Sequence, residues 1–128
     1  MKALNETLRD LLDRRAFLVL STINPDGSPQ SSVIWAKHDG GGVVFSTIRG
    51  RRKTRNMERD PRVSICVYDP ANPYRYVEVR GTVSLVEEGG PELIDELSRL
   101  YDGKPFVEAV PGVTRVVCRV TATKVIEH

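Results

Sequence analysis

The sequence predicts a mainly β (α+β) fold, in which six antiparallel strands close into a barrel with three helices at its periphery. Three observations lead there. Apolar and β-branched residues alternate along six segments bounded by Gly, Pro, Asn and Asp. Most of these segments follow one another at hairpin spacing, without the intervening helices that a parallel βαβ sheet needs. Helical periodicity is confined to three stretches, at the start, near the middle and before the last strand.

Each element has its own signal. Asn5 caps a first helix running to about Arg15, with Leu8, Leu11 and Leu12 forming one apolar stripe. AFLVLST (Ala16–Thr22) reads as a buried strand. Asn24-Pro25-Asp26-Gly27 then makes a turn, because Pro presets φ and Gly accepts a positive φ. It leads into a second strand, SPQSSVIWAKHD (Ser28–Asp39). Asp39-Gly40-Gly41-Gly42 turns the chain again into VVFST (Val43–Thr47). From Gly50 to Asp60 alternation stops and helix formers dominate until Pro61, which gives a short basic helix. RVSICVYD (Arg62–Asp69) is the fourth strand. The long fifth, Tyr74–Glu88, carries a glycine at 81 that marks a bend or bulge. Pro91 opens a third helix, with Leu93, Ile94, Leu97, Leu100 and Tyr101 at helical spacing, ending near Gly103. Lys104–Gly112 has no assignable pattern, and Val113–His128 is the sixth strand.

Composition narrows the function. A chain of 128 residues fits a single domain spanning 1–128. No apolar run approaches the roughly 20 residues that span a bilayer, and the start, MKALNETLRDLLDRR, is charged rather than signal-like. A cytoplasmic protein without a membrane partner is expected. Cys66 and Cys118 lie in strand segments as reduced, packed residues, and His38 and His128 are too scattered for a metal site. Net charge is only +2, yet Arg49–Arg62 holds seven basic and two acidic residues, a local +5 that leaves −3 for the rest. This helix lacks interleaved aromatics, so a nucleic-acid partner is not expected.

The concentrated charge sits at a chemically suggestive junction. Phe45-Ser46-Thr47-Ile48-Arg49-Gly50-Arg51-Arg52-Lys53 ends a strand in two hydroxyls, turns at a glycine and starts a helix with cations. Hydroxyls, helix-start amides and forked guanidinium donors together can cradle a phosphate. A solvated basic helix face is the alternative. The pattern is neither a Walker loop nor G-x-G-x-x-G. A second cluster, Gln30-Ser31-Ser32-Val33-Ile34-Trp35, opens a strand with polar residues suited to the hydrogen-bonding edge of a flat heteroaromatic ring; Trp35 reads first as core or interface filler. No nucleophile elbow, zinc-protease motif or spaced carboxylate pair is visible, which suits chemistry carried by a cofactor.

These pieces in this order resemble the pyridoxamine-phosphate-oxidase-like superfamily, and within it the small enzymes that use the deazaflavin coenzyme F420. The resemblance rests on LST…PDGSPQSSVIW, VVFSTIRGRRKTRN and RDPRVSICV, and it is weakest from Gly103 to Gly112. It implies a split β-barrel homodimer that binds a phosphorylated redox cofactor in grooves between subunits. It implies that Ser46, Thr47, Arg51 and Lys53 hold the cofactor phosphate and that Gln30, Ser31, Ser32 and Val33 line the ring. Arg49 and Arg52 would meet the acidic tail that F420 carries and FMN lacks, and Arg75, between Tyr74 and Tyr76, would approach from the second subunit. The substrate residues of pyridoxamine phosphate oxidase itself are not recognisable, so vitamin B6 oxidation is not expected. The implied reaction is hydride transfer from reduced F420 to an unsaturated small-molecule electron acceptor. An FMN enzyme of the same fold, and a non-catalytic flavin carrier or sensor, are the alternatives. The long alternating strands Tyr74–Val86 and Val113–Ile126 also lead us to expect a large apolar dimer interface.

Overall fold

The computed structural model describes residues 5–127. His128 and the first four residues of the charged start lie outside the described residues. The chain runs α1 (Glu6–Asp13), β1 (Leu18–Ile23), β2 (Pro29–Ile34), β3 (Lys37–Asp39), β4 (Gly42–Ile48), α2 (Arg52–Arg59), β5 (Arg62–Asp69), β6 (Asn72–Val86), α3 (Gly90–Asp102) and β7 (Arg115–Glu127). No helix among the described residues is long and apolar enough to cross a membrane.

All strand pairs are antiparallel, in one sheet of order β2-β1-β5-β6-β7-β4-β3. Its two edge strands, β2 and β3, are separated in the chain only by Trp35 and Ala36. Three peptide steps, from Ile34 to Lys37, reach at most about 11 Å. The edges of a flat seven-stranded sheet would stand roughly 29 Å apart at a strand spacing of about 4.8 Å. The sheet must therefore roll up until its edges nearly meet, so chain connectivity alone requires the barrel. This also corrects the strand count. The predicted second strand is two strands, because a ladder cannot continue through the corner that passes from one edge to the other. Alternation hides the break, since Ile34 and Ala36 are both buried on either side of Trp35.

Tyr101, near the end of α3, locks that corner. Its hydroxyl lies 2.7 Å from the Ala16 carbonyl oxygen and 2.9 Å from that of Ala36, and it accepts the Ala36 N–H at 3.4 Å. Its ring stacks on Trp35 at 5.6 Å and 16°, and tilts against Phe17 at 5.5 Å. Burial pushes the Tyr101 phenol above its ordinary value, which keeps it a donor.

Local signals hold elsewhere. Asn5 caps α1 by accepting the Leu8 N–H at 2.8 Å, and Leu8, Leu11 and Leu12 face the core. Gly81 marks a bulge, as expected. Arg80 pairs with Lys124 but Gly81 with Ala122, which leaves Thr123 as the extra residue. A Cβ on Gly81 would stand 2.1 Å from the Thr121 carbonyl oxygen, so close approach requires glycine here. The long strands β6 and β7 bury one apolar face each, Val77, Val79 and Val83 on β6 facing Val116, Cys118 and Val120 on β7 in the one core. The other face of β6 carries Glu78, Arg80, Thr82 and Ser84. The apolar surface that β6 leaves exposed is confined to its ends, at Tyr74 and Val86. Both cysteines are free; burial pushes the Cys118 thiol up to about 12 and raises that of Cys66.

Two substitutions test the closure. Tyr101→Phe keeps the ring contacts and strips the hydroxyl, and should lower unfolding free energy by about 1–3 kcal/mol, the range for leaving buried polar groups unpaired. Gly81→Ala should destabilise by about 1–3 kcal/mol through overpacking against β7. Urea denaturation that finds either variant within a few tenths of wild type would contradict the corresponding contact.

Candidate functional site

The junction of β4 and α2 sorts its two hydroxyls by strand alternation. Thr47 points inward and is 1% exposed; its Oγ1 lies 3.2 Å from that of Thr54, which donates to the Ile48 carbonyl at 2.7 Å. This buried chain fixes the angle between strand and helix. Ser46 points the other way, donating to the Gly90 carbonyl at 3.1 Å. Gly50 then turns at φ 98°, a conformation that favours glycine, and Arg51 precedes the first turn of α2.

Ser46, Arg51 and Lys53 open onto a cleft of about 380 Å³. Phe17, Ile94 and the corner residues Val33, Ile34 and Trp35 form its apolar wall, and Arg115 its far side. Lys53 is half-buried. Desolvation holds its ammonium below the ordinary value, and repulsion from Arg51 and Arg115 adds to that. Among the described residues neither Lys53 nor Arg51 forms an ion pair. Arg115, by contrast, is gripped by both carboxylate oxygens of Glu108 at 3.0 and 3.1 Å and lies over the Phe106 ring at 4.9 Å. Uncompensated cations in a partly dry cleft are a standing electrostatic cost that an anion relieves. Beside them runs β2, an edge strand paired only with β1, so alternate backbone N–H and C=O groups point away from the ladder.

Of the predicted site residues, the fold brings Val33, Ser46, Arg51 and Lys53 together in this cleft. The others lie outside its lining. Gln30 accepts from Thr22 at 2.6 Å and donates to the Ser31 carbonyl at 3.2 Å, while the Ser31 hydroxyl sits 3.2 Å from that of Ser21. Ser32 lies on the opposite face of β2 from Val33, where its Oγ is buried without a hydrogen-bond partner among the described residues. Arg49 is held between Glu58, with which it forms an ion pair, and Glu87 at 4.0 Å. Arg52 is exposed beside Asn24, Pro25 and Asp26. Arg75 pairs with Asp10 at 3.0 Å and Asp69 at 3.7 Å, next to the exposed Tyr74. Sequence reasoning missed Arg115, Phe17 and Ile94. Each reads locally as an ordinary strand or helix residue, and only the rolled sheet puts them around Lys53.

Comparison with known proteins gives this arrangement a family. The Pyridoxamine 5'-phosphate oxidase family pattern matches residues 4–128. A pyridoxine/pyridoxamine 5'-phosphate oxidase of Rubrobacter xylanophilus is 38% identical over 84 residues, which are 65% of this chain and 38% of that protein. One of Aeromonas hydrophila is 39% identical over 49 residues, 23% of its length, so the chain spans well under half of these curated relatives. Among solved structures, an F420 reductase superposes with a TM-score of 0.84 and 35% identity, covering 96% of this chain and 98% of that one. A conserved hypothetical protein of Mycobacterium tuberculosis superposes with a TM-score of 0.78 and 25% identity, covering 99% and 89%. Matched along nearly its whole length, the chain belongs to the pyridoxamine 5'-phosphate oxidase family.

Proposed function

We propose that this protein is an F420-dependent oxidoreductase, in which Arg51 and Lys53 hold the cofactor phosphate. One observation carries the reading: two cations without counter-ions, one of them desolvated, face an apolar-walled cleft beside an edge strand. The residues fit the group. Arg51 and Lys53 supply charge and Ser46 a hydroxyl, the outward backbone of β2 matches the carbonyl and N–H edges of a ring, and Phe17, Trp35 and Ile94 keep water from it. When bound, the cofactor supplies a hydride for an unsaturated organic acceptor, while the chain binds, orients and excludes water. The likeness to an F420 reductase over nearly all of both chains supports this cofactor. FMN is the second reading, favoured by the family and by the sufficiency of the same two cations for its phosphate. The reading includes a cytoplasmic homodimer, and Phe17 and Val33, 42% and 66% exposed at the cleft, offer apolar surface for a second copy to cover.

Lys53→Met should weaken binding of both F420 and FMN by about 10- to 100-fold, or about 1.4–2.8 kcal/mol for a lost charge-assisted hydrogen bond. Lys53→Arg should keep most of the affinity. Unchanged affinity of Lys53→Met in a fluorescence titration would remove the phosphate site.

The tail of F420 distinguishes it from FMN by charge. Arg49 is already neutralised by Glu58 and Glu87, so attraction of the tail falls to the exposed Arg52 and Arg55. Replacing both by Gln should cost F420 about 2- to 30-fold at low salt, at about 0.2–1 kcal/mol per exposed pair. FMN affinity should hold, and the difference should fade as salt shortens the screening length. Arg49→Gln should affect neither cofactor. Equal losses for F420 and FMN in the double variant would favour FMN.

A further inference from the structure

The connector Lys104–Gly112, which has no sequence signature, is held in a specific place. Ser98 Oγ donates to the Lys104 carbonyl at 2.8 Å, and the Phe106 N–H donates to Asp95 at 2.9 Å. That placement delivers Glu108 to Arg115, whose side chain is only 8% exposed. Glu108 takes the Nε and Nη2 donors, while Nη1 makes no hydrogen bond among the described residues. Arg115 thus lines the cleft as a hydrogen-bond donor whose charge is cancelled from behind. Three cations surround the space, but two of them act as free charge.

We propose that Glu108 is a specificity-determining residue: by neutralising Arg115 it fits the cleft to a singly charged phosphodiester and disfavours a doubly charged phosphomonoester. This rests on reading the cleft as a phosphate site. F420 carries its phosphate as a diester, a monoanion, because the chain continues beyond it. FMN ends in a monoester bearing about 1.5–2 negative charges at neutral pH. Coulomb energy is linear in the charge placed in the cleft, and the acidic tail of F420 falls to Arg52 and Arg55 outside it, so any factor that the Glu108 carboxylate imposes on a monoanionic phosphate is about squared for a dianionic one. The carboxylate therefore acts as a filter on phosphate charge, independent of the ring.

The test is fluorescence titration of F420, FMN and riboflavin, which lacks the phosphate, into wild type, Glu108→Gln and Arg115→Met. Glu108→Gln should tighten F420 about 3-fold and FMN about 10-fold, the square within error, and leave riboflavin unchanged. Arg115→Met leaves Glu108 uncompensated and should shift the FMN-to-F420 affinity ratio the opposite way, so the proposal stays testable if Glu108→Gln folds poorly. Equal changes for both cofactors, or a matching gain for riboflavin, overturn it while the phosphate site stands. Wild-type protein that binds neither cofactor overturns the functional reading and this inference together.

Discussion

Two residues, Trp35 and Ala36, join strands at opposite edges of the same seven-stranded sheet, and the architecture follows from that short tether. It forces the sheet to roll, and it leaves a corner where backbone groups have no ladder partner. Tyr101 fills that need from α3, bonding the backbone of Ala16 and Ala36 and stacking on Trp35. The same corner is the apolar wall of the cleft. Closure of the barrel thus sets Val33, Ile34 and Trp35 opposite the cations of the β4–α2 junction and the start of β7. Fold and site are consequences of one connection.

The second determinant is how the junction divides its polar groups. Thr47 and Thr54 bind each other inside and fix the helix, and that frees Arg51 and Lys53 to face outward into the cleft. Two other cations of this basic segment are consumed by neighbours: Arg49 by Glu58 and Glu87, Arg62 by Asp60, which the pair holds at about 2. Arg52 and Arg55 point to solvent, whereas Arg51 and Lys53 face the apolar-walled cleft without an ion-pair partner among the described residues. Leaving a desolvated ammonium unpaired costs stability, and a bound anion would remove that cost.

Much of this was legible in the sequence where the signal is local. The Asn5 cap, the Asn24–Gly27 turn, the bulge at Gly81 and the hydroxyl–glycine–cation junction each need only a few adjacent residues. The misses are long-range. Arg49 is neutralised in part by Glu87, on the far side of two strands, and Arg115 reaches the cleft only through the β4–β7 pairing. Gln30 meets Thr22 through hairpin register. The break at Trp35–Ala36 escaped because burial alternates straight through it. Thr47 and Ser46 could have been separated in advance, since adjacent strand residues face opposite ways.

Unfolding of wild type and Lys53→Met in urea, each empty and saturated with F420 or FMN, tests the central claim most directly. The folded state depresses the Lys53 ammonium, so its charge is a penalty fully present below that lowered value and relieved as pH rises toward 10.5. Lys53→Met should therefore be the more stable protein when empty at neutral pH, with the gap narrowing toward pH 10.5. Saturating cofactor should reverse the order, because binding stabilises wild type in proportion to its tighter affinity. An empty Lys53→Met that is less stable than wild type, or equal stabilisation of both proteins by cofactor, would contradict a fold that holds these charges for a ligand.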